Sequence, residues 1–149
     1  MAIAAEVQRI RDVFSATTDI RVPPFQRSYA WEDDETEILI KDLLDAFRHN
    51  TVYFLGAIVV IRPKNKGPSD VVDGQQRLTT LYLLHWYLAR RAGIAQDQLD
   101  RLKSFSYETR RSSRDFCRAL ATNGDARLFE EKDLLLTVKD AAWFRAAWT

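Results

Sequence analysis

Apolar positions along this chain change period several times, and each change marks an element. Ile3, Val7, Ile10 and Phe14 recur at helical spacing, which predicts a helix over residues 3–15. Ile20-Arg21-Val22 reads as a short strand, ended by Pro23-Pro24 because proline has no ladder N–H to give. The acidic run from Glu32 to Glu37 suits the first turn of a helix, whose apolar face is Ile38, Leu39, Leu43, Leu44 and Phe47. Tyr53 to Ile61 is continuously apolar and rich in β-branched residues, so it reads as a buried central strand. A polar turn, Pro63 to Ser69, leads as a hairpin tip into Asp70-Val71-Val72. The run from Leu78 predicts a helix to about Arg91, with Gly93 as its C′ residue.

Further on, residues 94–103 read as a short helix and Phe105 to Arg111 as extended chain. Ser112 or Ser113 is placed to cap a helix over Arg114–Ala121. Val138 to Trp148 has an amphipathic helical pattern. Its aromatics Trp143, Phe144 and Trp148 do not share one narrow face, so part of them is expected to be exposed or covered by a second copy of the chain in a homodimer.

Composition narrows the class. The 149 residues are 46% apolar and 29% charged, which fits a single globular domain with a real core. No stretch of about 18 apolar residues exists, so nothing is expected to span a membrane. The first residues are too short and acidic an apolar stretch for a signal peptide, and Cys117 is the one cysteine; both point to the cytoplasm. Cys117 shares a helical pattern with Phe116 and Leu120 and reads as a core thiol. With two histidines, His49 and His85, and no Cys/His cluster, no zinc or histidine-metal nuclease centre is expected in this chain. Charge is uneven. Residues 1–60 hold six basic and ten acidic side chains, whereas residues 90–118 hold eight basic and four acidic. The basic stretch, which includes Arg110 and Arg111, is either a polyanion surface or a mixed solvated helix face.

The chemistry concentrates at Asp73-Gly74-Gln75-Gln76-Arg77, between a strand end and a helix start. The first N–H groups of a helix have no internal partner and carry partial positive charge, so such a turn can hold an anion. Gly74 permits close backbone approach, Gln75 and Gln76 offer amides, and Arg77 offers a fork matched to phosphate oxygens. Thr79 and Thr80 add hydroxyls in the first turns. The plainer reading has Asp73 capping the helix and Arg77 paired with a surface acid.

Three segments occur in order: Pro24-Phe25-Gln26-Arg27-Ser28-Tyr29-Ala30-Trp31, Tyr53-Phe54-Leu55-Gly56, and Asp73 to Thr80. Together with Tyr107 to Ser113, they resemble the N-terminal domain of GmrSD-type, modification-dependent restriction systems, a family that includes the N-terminal half of SspE. The resemblance spans roughly residues 5–148. It implies an α+β fold related to the ParB/sulfiredoxin superfamily, a small mixed sheet surrounded by helices. It also implies a domain that binds and hydrolyses a nucleoside triphosphate, with GTP one candidate, and thereby gates a nuclease of the His-Asn-His class elsewhere in the chain or in a partner. Members of the family continue past the point matching Thr149, so cleavage is expected to lie outside these residues.

In that setting Asp73, Gln76 and Arg77 are the expected catalytic set. Gln26, Arg27, Gly74, Gln75, Arg77, Thr79 and Thr80 are the expected phosphate contacts, and Asp73 the expected Mg²⁺ ligand. Tyr29 and Trp31 are candidates for base stacking, and Arg110 and Arg111 for DNA. Arg27 has a plainer alternative, an ion pair with the Glu32–Glu37 run, and Trp31 another, a plug in the core. The competing class is a non-enzymatic module that reads a modified DNA backbone through residues 90–118 and the Arg27/Arg77 pocket.

Overall fold

The computed structural model describes residues 4–14, 19–95, 99–123 and 133–145. In chain order these form α1 (Ile10–Val13), β1 (Ile20–Val22), α2 (Asp33–Arg48), β2 (Val59–Ile61), β3 (Ser69–Asp73), α3 (Gln75–Arg91), a 3-10 turn (Asp100–Ser104), β4 (Phe105–Tyr107), α4 (Arg111–Asn123) and α5 (Leu134–Asp140). The fold is α+β, with a small mixed sheet among helices and a largely helical second half. Strand order is β2-β3-β1-β4; β1 runs parallel to both β3 and β4, and β2 is antiparallel to β3.

Alternation along the strands sets the two faces of the sheet. Ile20 and Val22, Ser69 and Val71, and Phe105 and Tyr107 are buried, while Arg21, Asp70 and Ser106 are half-exposed between them. The buried set joins Leu78, Leu81, Tyr82 and Trp86 of α3 and Leu120 of α4 in one core. On the opposite face the register places Arg21 beside Asp70 and Ser106. Arg21 Nε and Nη2 donate to the two Asp70 carboxylate oxygens at 2.7 and 3.0 Å, a bidentate cross-strand pair. Helices α3 and α4 are stitched by side chains that reach past the end of regular packing. Tyr82 Oη donates to Cys117 O at 3.3 Å, Trp86 Nε1 to Leu120 O at 3.0 Å and Arg90 Nη2 to Ala121 O at 2.8 Å.

Several expectations are corrected. Helix 3–15 shrinks to one turn: Val7 is 93% exposed, and only Phe14 of that pattern is buried, while Ile3 lies outside the described residues. The face expected on α2 is mostly bare, since Leu39 is buried but Ile38 is 61% and Phe47 83% exposed. Tyr53 to Ile61 is not a buried central strand. Only Val59–Ile61 pairs, at the sheet edge, and Gly56 at φ 88° turns the chain before it. Local β propensity lost there because left-handed backbone cannot continue a ladder. Ser112 and Ser113 sit inside α4 rather than capping it. The last helix ends at Asp140, so Trp143 and Phe144 follow it as irregular chain; both are half-buried, and the Phe144 ring meets Phe116 edge-on at 6.2 Å. Trp148 lies outside the described residues.

Cys117 packs at the α3–α4 contact, and burial pushes its thiol up to about 12. An unfolded thiol ionises near 9.0. The stabilisation from keeping it neutral is therefore complete below the lower value and is lost as pH rises through the upper one. The denaturation midpoint should fall in that alkaline window, and fall less in Cys117→Ala. Parallel alkaline limbs for the two proteins would show that the thiol is not the titrating group. Tyr82, whose phenol burial pushes in the same direction, is present in both.

Candidate functional site at the carboxyl end of the sheet

Because β1, β3 and β4 are parallel, their carboxyl ends open on one edge. There the chain leaves β1 into residues 23–32, β3 into Gly74 and β4 into residues 108–110. Such edges are where open α/β sheets bind ligands. Gly74 is the residue before α3, at φ 85°, and a Cβ there would lie 3.1–3.3 Å from Ile58 and the Ala57 carbonyl. Glycine is demanded twice, by the left-handed backbone and by the close approach of the 57–58 segment. No side chain caps α3; its first helical hydrogen bond runs from Leu78 N to Gly74 O at 3.0 Å. The amides of Gln75, Gln76 and Arg77 are thus the orphan donors of a 17-residue helix. Asp73 belongs to β3, is exposed, and does not cap the helix.

The loop after β1 and the turn after β3 meet. Gln26 Nε2 donates to Val71 O at 3.3 Å and Val72 O at 3.0 Å, and Gln75 Nε2 donates to Arg27 O at 3.1 Å. Gln76 is the pin of the loop. Its Oε1 accepts from Ala30 N at 2.8 Å and Trp31 N at 3.3 Å, and its Nε2 donates to Ser28 O at 3.2 Å. Thr80 Oγ1 bonds Gln76 O at 2.9 Å and the Tyr29 hydroxyl at 2.8 Å. Tyr29 and Trp31 are partly buried and pack against the core. The glutamine amides expected to face a ligand are thus largely engaged with backbone. Among the described residues, Gln75 Oε1 and Thr79 Oγ1 are buried without a hydrogen-bond partner.

Arg77 is likewise engaged. Its guanidinium donates to Leu55 O and, at 2.8 Å, to Ala57 O, bridging the carbonyls on either side of Gly56. A Cβ at Gly56 would fall 2.1 Å from Arg77 Nη1. The surface-acid reading of Arg77 gives way to a backbone clamp that replaces the missing strand ladder over residues 55–57. The guanidinium has five N–H groups, so donors remain beyond these two bonds. Tyr53 flanks the clamp. Its hydroxyl donates to Asp42 at 2.8 Å, which with desolvation holds the phenol above its usual value while the Arg77 charge opposes.

Arg27 is exposed and forms no ion pair with Glu32–Glu37 among the described residues; the loop's charge is presented to solvent. Arg110 is exposed, and Arg111 pairs loosely with Asp115 at 4.0 Å. Among the described residues no group of three His, Cys, Asp or Glu side chains is arranged for a metal. Asp73 belongs to no such group among the described residues. The residues that sequence reasoning did not assign are Gly56 with its flanking carbonyls, Tyr107 and Thr109. Tyr107, at the end of β4, and Thr109, just after it, each hold a buried hydroxyl without a partner among the described residues. The glycine inside the apolar run was the available signal for the first; Tyr107 and Thr109 lie in the Tyr107–Ser113 segment that carries part of the family resemblance, which gave them no role of their own.

Fold and site together define an α+β domain that gathers a glycine turn, an uncapped helix and a glutamine-pinned loop at one sheet edge. The profile of the GmrSD restriction endonuclease N-terminal domain matches residues 10–141, and the chain belongs to that family. It is thereby a component type of GmrSD-type restriction systems. No curated protein and no solved structure matches the chain. No helix among the described residues is long and apolar enough to cross a membrane.

Proposed function

We propose that this domain binds and hydrolyses a nucleoside triphosphate, and that the nucleotide state gates a nuclease of the His-Asn-His class carried elsewhere in the chain or by a partner. The observation that carries this reading is the uncapped α3 N-terminus behind Gly74 at the carboxyl edge of the parallel strands. Its free amides suit phosphate oxygens, and exposed Arg27 adds charge from the facing loop. Asp73 would hold Mg²⁺ together with those oxygens and water, and the bound ion would neutralise charge on the transferred phosphoryl group. The remaining N–H groups of Arg77 would reach the phosphates while its other donors hold residues 55–57. Gln76 acts by positioning the loop that carries Arg27. Gln75 Oε1 is the acceptor left open on the first turn and is the candidate for orienting the attacking water. The protein is proposed to act in the cytoplasm.

Phosphate release from each triphosphate, with and without modified DNA and with and without Mg²⁺, tests this reading. Arg27→Ala should weaken nucleotide binding about tenfold, the worth of one charge-assisted contact, without moving the thermal transition. Metal-independent behaviour with no nucleotide binding would remove the proposal. A second reading, a DNA-reading module without turnover, draws on the arginines of α4. It predicts binding that falls steeply with salt and no phosphate release.

A further inference from the structure

Strand order leaves β2 at one end of the sheet, with β3 on its inner side and, among the described residues, no strand on its outer side. Among the described residues no backbone hydrogen bond reaches that outer edge from another segment. An open edge carries unpaired N–H and C=O groups, and natural edges are commonly blunted by a charge or a proline within the strand. Val59-Val60-Ile61 has neither; Arg62 and Pro63 come only after it. The ladder to β3 carries one extra residue, Val72, between the Val59–Asp73 and Val60–Val71 pairs. That bulge belongs to β3 and leaves β2 without an extra residue of its own. Val60 packs on the core, whereas Val59 and Ile61 are each 48% exposed, with Val72 beside them in the bulge at 39%. Charge differs between the two ends of this β2–β3 hairpin. Arg62 pairs with Glu6 at 2.9 Å. Lys64 and Lys66 are exposed at the tip and Asp73 at the base, and none of these three forms an ion pair among the described residues.

We propose that the outer edge of β2 pairs with the same edge of a second copy of the chain, antiparallel about a twofold axis at Val60, so that two four-stranded sheets become one. The occupant is a second copy because the hairpin complements itself. The axis sets Val59 opposite the partner's Ile61, an apolar β-branched pair of the kind that stabilises strand pairing, and sets it twice. It also runs the lysine tip of each hairpin past the Asp73 end of the other, so opposite charges approach at both ends of the contact. A foreign acidic strand would match the tip and not the base, and a basic one the reverse. Asp73 acts here only through its charge, so the pairing does not rest on the function proposed for the turn.

Sedimentation velocity on the 149-residue chain, from micromolar to millimolar concentration, tests for association. A concentration-dependent dimer is expected. Disulfide trapping in a Cys117→Ala background tests the register. A mixture of Val59→Cys and Ile61→Cys should cross-link about tenfold faster than either protein alone, because only the mixed pair is directly opposed and within disulfide reach. Val59→Glu with Ile61→Glu sets like charges across the axis and should weaken the dimer about tenfold. Val59→Lys with Ile61→Glu sets opposite charges across it and should keep the dimer. Both positions are exposed at the sheet edge, so the variants are expected to fold, and matching thermal transitions will verify that. Should a charged variant fail to fold, the cysteine mixture decides. A monomer at every concentration, equal cross-linking in the mixed and single samples, or a dimer undisturbed by the two glutamates would each overturn the assignment.

Discussion

Gly56→Ala is expected to destabilise the domain by about 3 kcal/mol and to disorganise the turn without touching it in sequence. Alanine at positive φ costs roughly 1–2 kcal/mol. The new methyl would occupy the place of Arg77 Nη1, 2.1 Å from where its carbon must sit. Arginine tips ordinarily swing away at little cost. This one bonds the carbonyls on both sides of Gly56, so moving it forfeits charge-assisted hydrogen bonds worth about 1.5–3 kcal/mol each. The two residues must therefore be coupled. In an Arg77→Ala background, the same Gly56→Ala change should cost only the backbone strain, about 1–2 kcal/mol. Chemical denaturation of the wild type, both single variants and the double variant closes the cycle. Strict additivity would mean that the clamp is absent in solution. Arg77→Ala should also weaken nucleotide binding, and the cycle separates loss through the loop from loss of a direct phosphate contact.

The second large effect belongs to Gln76. Its side chain is 6% exposed and serves three backbone groups of the facing loop, Ala30 N, Trp31 N and Ser28 O. Gln76→Ala removes all three bonds and leaves a void beneath the loop. A cost of about 2 kcal/mol is expected, tempered because the exposed half of the loop can recruit water. Amide exchange at Ala30 and Trp31 should then quicken roughly thirtyfold, since local opening pays the same difference. Gln76→Glu keeps an acceptor for the two amides but loses the donor to Ser28 O and buries a carboxylate, so it should not rescue. Unchanged exchange at Ala30 in Gln76→Ala would show that the loop is held by other contacts.

Much of the framework was legible in one dimension. Ile20–Val22, the end of α3 at Arg91 and the left-handed Gly93 follow from local rules of period, glycine and proline, whereas the helix expected from Leu78 begins three residues earlier, at Gln75. The extended character of Phe105–Tyr107 was legible too. The acidic opening of α2 was also readable, and the Glu32 amide does donate to Glu35 at 2.9 Å. The ends of elements resisted where non-local packing decided. Nothing local tells α2 that Phe47 will find no core, or tells residues 53–58 that their carbonyls will be taken by a side chain from α3.

The sequence by itself determined that Asp73 to Arg77 sits at a strand-to-helix turn, because strand alternation, a glycine and a helical period are written within a few residues of one another. It also carried the family membership, in motifs spread along the chain. Only the tertiary structure decided how those polar groups are used. Hydrogen-bond partners 20–50 residues apart become neighbours when parallel strands align their carboxyl ends, and backbone groups that lack a ladder must be satisfied by whatever donor is in reach. That requirement turned Arg77 into a clamp over Gly56 and Gln76 into a pin for the loop at Ala30. No such partner is taken, among the described residues, by the amides of the first α3 turn or the side chain of Arg27.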